Sequence, residues 1–309
     1  MITKRIRIGS RGSALALWQA HFVKAQLEDL GHQVEIKIIK TKGDKIQNVS
    51  FDKIEGKGFF TKELEEALLN KSIDLAVHSY KDLPTEDAKG LCIFGNSYRA
   101  NPHDCLIIDP KFVDESEHFS IAQNAIIGTS SPRRIAELLY YRPDLAFQPI
   151  RGNVPTRLAK TGNTVDAVVL ADAGLTRLKL DLSPYKVVQL DPTKIVPAPA
   201  QGVLAFQIRE DDDFLKKILP KISDKEVAAC VEIERTILKN LEGGCQKPVG
   251  VYCIKEEDLF QVWVSYAILP EGDKSMVEKL RKIELKKIFQ SHSDSKTLIE
   301  NTLKFYEYV

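Results

Sequence analysis

Several arginines lie close to the predicted starts of helices, where the helix dipole already supplies about half a positive charge. Each such placement costs a few tenths of a kcal/mol unless an anion occupies the site, and an arginine–carboxylate hydrogen bond returns about 1.5–3 kcal/mol. Any one of these side chains is explained equally well as a solvated surface residue, but their repetition favours a cleft for a ligand with many carboxylates. They are Arg11, Arg133, Arg134, Arg151, Arg157 and Arg177.

An acid stands beside a base just after a predicted strand that ends near His78. Lys81 and Asp82 are expected at the carboxyl end of that strand, where open α/β sheets bind their ligands. Such a pair could transfer protons and stabilise a developing cation. The simpler alternative is a plain turn, because Asp before Leu83-Pro84 is common turn chemistry. His78 alternates with apolar residues and is expected to be a hydrogen-bonded core residue.

Two glycines precede Cys245, in Gly243-Gly244-Cys245, and are expected to expose its thiol on a loop. An accessible thiol near basic groups is a nucleophile, whereas we expect the other four cysteines to behave as small buried apolar residues. A cysteine hydrolase is disfavoured because none of the six histidines lies in a motif that suggests a base for Cys245. The cysteines and histidines show no zinc-ligand spacing, so no metal is expected.

Short β-rich runs alternate with amphipathic helical stretches, which predicts an α/β fold. The first unit is predicted to contain strands over 5–9, 34–40 and 73–78 and helices over 13–30 and 61–70, the second helix capped by Thr61. A second unit repeats this order, with strands over 125–128 and 165–170 and a helix that Ser131 and Pro132 open. We therefore predict two similar lobes, in which Ile8-Gly9-Ser10 is equivalent to Ile127-Gly128-Thr129 and Asp74 to Asp166.

Residues 98–102 and 191–200 contain prolines and are predicted to be hinges between the lobes, so the chain returns to the first lobe. After Pro220, a helix near 224–241, strands near 249–254 and 259–268 and a last helix near 294–307 predict a small α+β domain. Residues 42–60 are expected to form a long loop with a lid hinge at Gly56-Lys57-Gly58. The predicted domains are domain 1 over 1–98 and 200–219, domain 2 over 103–192, and domain 3, with Cys245, over 223–309.

The composition is that of a globular protein, with 43% hydrophobic and 28% charged residues, which argues against wholesale disorder. The net charge of +1 disfavours nonspecific nucleic-acid binding, although it leaves a local anion site open. No apolar run is long enough to span a membrane, and the alternating N-terminus does not look like a signal peptide. Five cysteines without a CxxC pair favour reduced thiols in the cytoplasm. We expect a cytoplasmic monomer that binds neither nucleic acid nor membrane.

Seven segments, in this order, closely resemble the porphobilinogen deaminase family, also called hydroxymethylbilane synthases. The resemblance runs from about Arg7 to Tyr252, and so many motifs in one order are highly specific. The motifs are Arg11-Gly12-Ser13 with Ala16-Leu17-Trp18-Gln19-Ala20, Gly56-Lys57-Gly58, Ala76-Val77-His78-Ser79, Lys81-Asp82-Leu83-Pro84, Gly128-Thr129-Ser130-Ser131-Pro132-Arg133-Arg134, Arg151-Gly152-Asn153-Val154 and Leu241-Glu242-Gly243-Gly244-Cys245.

The resemblance implies two lobes like those of type II periplasmic binding proteins and a small α+β C-terminal domain. It also implies one dipyrromethane cofactor, built from substrate and joined to Cys245 by a thioether bond. On this primer the family adds four porphobilinogen units head to tail, with loss of ammonia each time. Hydrolysis then releases the linear tetrapyrrole hydroxymethylbilane, which feeds porphyrin and haem biosynthesis.

The resemblance also implies roles for individual residues. Asp82 matches the catalytic carboxylate, with Lys81 beside it, and Lys57 and Phe60 match an active-site lid. The positions that match cofactor contacts are Ser79, Lys81, Asp82, Thr129, Ser130, Ser131, Arg133 and Arg134. The positions that match substrate contacts are Arg11, Ser13, Arg151, Arg157, Arg177 and Gln201.

A few positions depart from the family pattern. Ala200 stands where the family usually has glycine, which is expected to stiffen a hinge, and Gln207 stands where glutamate is frequent. Gly12 and Tyr80 occupy variable positions. The alternative to the transferase is a non-enzymatic two-lobe binding protein for a polycarboxylate ligand, which would need the arginines but would have no use for Asp82 or a loop cysteine.

Overall fold

The computed structural model describes residues 5–41, 61–241, 248–270 and 275–307. Within it the chain divides into two compact units, Met1–Ala100 with Gly202–Ala229, and Asn101–Gln201 with Cys230–Val309. The chain thus passes into the second unit at Asn101, returns to the first at Gly202 and enters the second again at Cys230. Our division into three domains, with a border near 220, remains a prediction.

The strands and helices have the following bounds. The strands are β1 (Ile6–Ser10), β2 (Val34–Ile38), β3 (Leu75–Ser79), β4 (Leu91–Asn96), β5 (Asp104–Ile108), β6 (Ile126–Gly128), β7 (Ala146–Gln148), β8 (Ala167–Ala171), β9 (Lys186–Leu190), β10 (Leu204–Arg209), β11 (Val249–Glu256), β12 (Leu259–Tyr266) and β13 (Lys286–His292). The α-helices are α1 (Ala14–Asp29), α2 (Lys62–Leu69), α3 (Pro132–Tyr141), α4 (Val154–Leu158), α5 (Asp172–Leu178), α6 (Asp213–Ile218), α7 (Lys225–Asn240), α8 (Met276–Leu280) and α9 (Ser295–Glu307).

The two five-stranded sheets share one topology. In the first unit the strand order is β2-β1-β3-β10-β4, with β1 parallel to β2 and β3 and with β10 antiparallel to both of its neighbours. In the second unit the order is β7-β6-β8-β5-β9, and β5 is the antiparallel strand. In both sheets the antiparallel strand is the one that follows a crossing between the units. This shared order confirms the prediction of two similar α/β lobes.

Helices pack on both faces of the first sheet. Val23 and Leu27 of α1 pack in the same cluster as Leu75, whereas Leu64 and Leu68 of α2 pack on the opposite face with Ala76 and Ile73. Ser13 caps α1 by accepting a hydrogen bond from the Ala16 N–H at 3.3 Å. Thr61 precedes α2 as predicted, but its side chain makes no capping hydrogen bond.

The C-terminal residues form a separate antiparallel sheet in the order β11-β12-β13. The predicted helix near 224–241, the two strands and the last helix are confirmed as α7, β11, β12 and α9. Strand β13 and the short helix α8 were not predicted. Among the described residues, no helix combines the length and apolar character needed to cross a membrane.

Candidate active site

The first unit brings polar residues to one edge of its sheet. Strands β1 and β3 run parallel, with Gly9 opposite Ala76, so their carboxyl ends lie at the same edge. Arg11 and Ser13 follow β1, while Ser79 ends β3, and Lys81 and Asp82 lie in the 3₁₀ turn Tyr80–Asp82 that follows. The carboxylate of Asp82 belongs to an exposed residue, and Lys81 and Arg11 are half-buried. The structure therefore places these predicted residues at one strand edge.

Two hydrogen bonds fix the turn that carries Lys81 and Asp82. The buried Gln19 amide of α1 donates to the Ser79 hydroxyl at 2.8 Å, and the Tyr80 N–H donates to the Val203 carbonyl at 3.0 Å. We did not assign Gln19 a role from the sequence. The feature that could have indicated a role is a glutamine on the helix face that otherwise carries buried apolar residues.

His78 lies under this edge as a buried residue. Its Nε2 is 3.0 Å from Oε1 of Gln207, which bonds it within the core as expected. Burial lowers the pKa of His78 to about 4, helped by the positive charge of Arg11 and opposed by the Gln207 hydrogen bond. The ring is therefore neutral near pH 7. It is a buried residue of β3, the strand whose carboxyl end carries the polar residues.

The second unit positions its polar residues around the start of α3. Ser131 accepts a hydrogen bond from the Arg134 N–H at 3.4 Å, and Pro132 occupies the first turn, as predicted. Thr129 is buried and accepts from the Ser131 N–H at 3.2 Å, while the Ser130 hydroxyl donates to the Ile150 carbonyl at 2.8 Å. The hydroxyl groups of Thr129, Ser130 and Ser131 thus form hydrogen bonds that stabilise the turn between β6 and α3.

Arg133 and Arg134 are both buried and share one carboxylate, that of Asp104 at the start of β5. Arg133 Nη2 donates to Oδ2 at 2.8 Å, and Arg134 Nη2 donates to Oδ1 at 2.6 Å. Their other Nη atoms donate to the carbonyls of Val196 and Val169 at 2.8 and 2.9 Å. Our expectation that a ligand supplies the anion at this helix start was therefore incomplete, because the protein supplies one itself.

We predicted neither strand β5 nor a role for Asp104. Two guanidinium groups share the carboxylate of Asp104, and the buried carboxylate of Glu137 also interacts electrostatically with Arg133. Arg134 Nε is also buried and has no hydrogen-bond partner among the described residues. A carboxylate from a ligand would satisfy this donor.

Gln201 is completely buried and is part of the same cluster. Its amide donates to Asp104 Oδ1 at 3.0 Å and to the Pro102 carbonyl at 2.7 Å. The structure thus joins Gln201 to the arginine pair through Asp104. Direct contact between Gln201 and a substrate stays a prediction.

The remaining arginines are placed differently from what we expected. Arg157 and Arg177 lie in the last turns of α4 and α5, where the dipole favours a cation, so the premise that both oppose a helix start was wrong. Arg157 Nε donates to the Gly152 carbonyl at 2.8 Å. Arg151, just before α4, and Arg177 are half-buried.

Three of the four described cysteines are buried, as expected. Cys105, Cys230 and Cys253 are buried, and burial raises the pKa of the Cys105 thiol to about 12. Cys92 is only half-buried. Cys245 and the predicted lid residues Lys57 and Phe60 lie outside the described residues.

These features define a class: a two-lobe α/β protein whose strand ends carry cationic and hydroxyl groups suited to a ligand with several carboxylates. Residues 6–217 match the family described as "Porphobilinogen deaminase, dipyromethane cofactor binding domain". Residues 228–301 match "Porphobilinogen deaminase, C-terminal domain". The chain belongs to the porphobilinogen deaminase family and is a transferase of tetrapyrrole biosynthesis that uses a dipyrromethane cofactor.

Known relatives cover most of the chain. It is 46% identical to a porphobilinogen deaminase of Helicobacter hepaticus over 252 residues, which span 81% of this chain and 76% of the relative. It is 40% identical to one of Nitratiruptor sp. over 281 residues, which span 89% and 87%. A periplasmic substrate-binding protein of Coxiella burnetii matches with a TM-score of 0.44 at 14% identity, over 72% of this chain and 94% of that one. The fold class rests on the strand order and not on this last likeness.

Proposed function

We propose that the protein joins four porphobilinogen molecules head to tail on a dipyrromethane primer held by Cys245, then releases hydroxymethylbilane by hydrolysis. The observation that carries the assignment of residues is the buried cluster in which Arg133 and Arg134 share Asp104. Two buried guanidinium groups close together are the kind of site that a carboxylated pyrrole needs. We also propose a cytoplasmic monomer, since five cysteines without a CxxC pair favour reduced thiols in the cytoplasm.

The described residues fit the cofactor. Each pyrrole of a dipyrromethane carries an acetate and a propionate, and the buried Arg134 Nε has no hydrogen-bond partner within the part of the chain that the structure describes. Thr129, Ser130 and Ser131 add hydroxyl groups beside the start of α3. When bound, the cofactor supplies the free pyrrole α-carbon to which the first substrate unit is joined. We propose that Ser79 and Lys81 hold further carboxylates of the same chain.

Asp82 is the group that we place at the reacting atoms. Loss of ammonia breaks a C–N bond of porphobilinogen and leaves its pyrrole electron-poor. An exposed carboxylate at the strand edge can approach the pyrrole N–H, stabilise the positive charge and accept the proton lost after the C–C bond forms. Lys81, its neighbour in the turn, would pair with a substrate carboxylate.

The other arginines would hold the acetate and propionate groups of the incoming substrate. We propose this role for Arg11, with Ser13, in the first unit and for Arg151, Arg157 and Arg177 in the second. Gln201 would act through Asp104, because its amide already bonds that carboxylate. Lys57 and Phe60 would cover the site as a lid.

Mass spectrometry of the intact, denatured protein tests the proposal. We expect an added mass of two linked pyrroles, which rises in one-pyrrole steps after incubation with porphobilinogen. Cys245→Ser is expected to lack the added mass, while the control Cys92→Ser keeps it. A wild-type mass that equals the sequence alone, before and after incubation, would reject the transferase and leave the non-enzymatic binding protein.

A further inference from the structure

A buried carboxylate outside the candidate site holds two backbone N–H groups of different segments. Glu234 lies on the inner face of α7 and has no exposed surface. Its Oε2 accepts from the Ala200 N–H at 2.6 Å, and its Oε1 accepts from the Cys253 N–H of β11 at 2.7 Å. A buried carboxylate costs stability unless it is well hydrogen-bonded, so the N–H groups of Ala200 and Cys253 stabilise Glu234 in its buried position.

The residue that Glu234 holds has an unusual backbone. Ala200 is fully buried and has a φ of +60°, a left-handed conformation that a side chain disfavours. The next residue, Gln201, bonds Asp104, and Asp104 holds Arg133 and Arg134. A continuous series of hydrogen-bonded residues therefore runs from α7 to the arginine pair.

Residues 196–201, which we call the crossing segment, precede the return of the chain to the first unit. The beginning of this segment is also held by hydrogen bonds. The Val196 N–H donates to the buried carboxylate of Glu137 at 3.2 Å, and its carbonyl accepts from Arg133. The Pro197 carbonyl accepts from the Val251 N–H of β11 at 3.1 Å. Gly250 allows this approach, since a Cβ there would lie 2.6 Å from the Val196 carbonyl oxygen. The crossing segment thus lies between the C-terminal strands and the arginine pair.

We propose that Glu234 is a positioning residue for the reaction: it fixes Ala200 and Gln201, and through them the place of Asp104 and of the two guanidinium groups. The inference rests on the proposed function, because it assumes that Arg133 and Arg134 hold pyrrole carboxylates. On this view the C-terminal region does more than carry Cys245, since α7 and β11 also set the geometry of the carboxylate-binding arginines.

Glu234→Gln tests the proposal, because the amide keeps the shape but has one acceptor oxygen and turns an NH2 toward a backbone N–H. The matched control is Glu232→Gln, an exposed glutamate on the same helix. We expect the KM for porphobilinogen to rise roughly tenfold in Glu234→Gln, with kcat within about twofold, and no change in Glu232→Gln. A lower melting temperature with unchanged KM would overturn the proposal and leave Glu234 a purely structural group.

A double-mutant cycle separates transmission along the segment from general loosening. If Glu234 acts through Gln201, then Glu234→Gln combined with Gln201→Leu changes KM by less than the product of the two single effects. Effects that multiply fully would overturn the proposed route. If Glu234→Gln does not accumulate as folded protein, Glu234→Asp keeps the charge with a shorter reach and is expected to raise KM in the same direction. An unchanged KM in that variant would again overturn the proposal. A wild-type protein without the pyrrole adduct would instead reject the proposed function.

Discussion

Replacing Asp104 with asparagine removes the buried carboxylate that two guanidinium groups share. In the wild-type protein its two oxygens accept hydrogen bonds from Arg133 at 2.8 Å and from Arg134 at 2.6 Å. Asparagine keeps one acceptor oxygen and turns an NH2 group toward the other donor, so a charge-assisted hydrogen bond of about 1.5–3 kcal/mol is lost. Both guanidinium groups also lose their counter-charge, and breaking a buried pair in this way costs about 3–5 kcal/mol in all.

We therefore expect the free energy of unfolding of the unit formed by 101–201 and 230–309 to fall by about 3–5 kcal/mol. At about 2–4 °C per kcal/mol for a unit of this size, the melting temperature falls by roughly 10 °C. Differential scanning calorimetry measures the shift, and the result should depend little on salt because the pair is buried.

The matched control is Asp258→Asn, an exposed aspartate in the turn between β11 and β12 of the same unit. Surface substitutions usually change stability by less than about 0.5 kcal/mol, so its melting temperature should stay close to that of the wild type. If Asp104→Asn melts as high as this control, the reasoning that Asp104 neutralises a buried arginine pair is refuted.

Three further results are expected. Asp82→Asn keeps the fold and the pyrrole adduct but lowers turnover about 100-fold or more, because an amide stabilises a developing cation poorly; near-wild-type steady-state rates would remove Asp82 from the chemistry. Arg134→Leu lowers the fraction of protein that carries the adduct in intact-mass spectra, and an unchanged fraction with unchanged turnover would make Arg134 a structural charge only. Burial lowers the pKa of His78 to about 4, so the unfolded chain binds a proton at this imidazole more readily than the folded chain does. The free energy of unfolding therefore falls as the pH drops from about 6.5 to about 4, by up to roughly 3 kcal/mol. Urea unfolding across that range measures the slope, which Gln207→Glu should flatten; a slope that Gln207→Glu leaves unchanged would contradict the assignment to His78.

The repeated strand-turn-helix pattern was sufficient to predict both lobes, because short apolar strands and helix caps are local signals. Ser131 is an example, since this cap lies three residues from the N–H that it binds. Strand β13 was missed because its sequence, with Lys286 and Lys287 followed by a half-buried run, lacks the alternation of a strand with one buried face.

Charge pairing over long distances could not be read from the sequence. Asp104 lies 29 and 30 residues from Arg133 and Arg134, and only the fold brings β5 next to the start of α3. Arg157 and Arg177 were misplaced relative to their helices because α4 and α5 are short, with five and seven residues, so the first and last turns nearly coincide. Ala200 was expected to stiffen a hinge, and its left-handed backbone supplies a local reason why glycine would suit this position.

The order of strands in the first sheet bears on how the chain folds as it is made. Strand β10 lies between β3 and β4, yet it is translated only after residues 101–201. On the ribosome β4 therefore emerges long before the strand with which it pairs, and the N-terminal lobe must wait for most of the polypeptide before its sheet can close. A nascent or truncated chain that stops before Leu204 leaves an unpaired strand edge, the kind of surface that recruits other chains and aggregates.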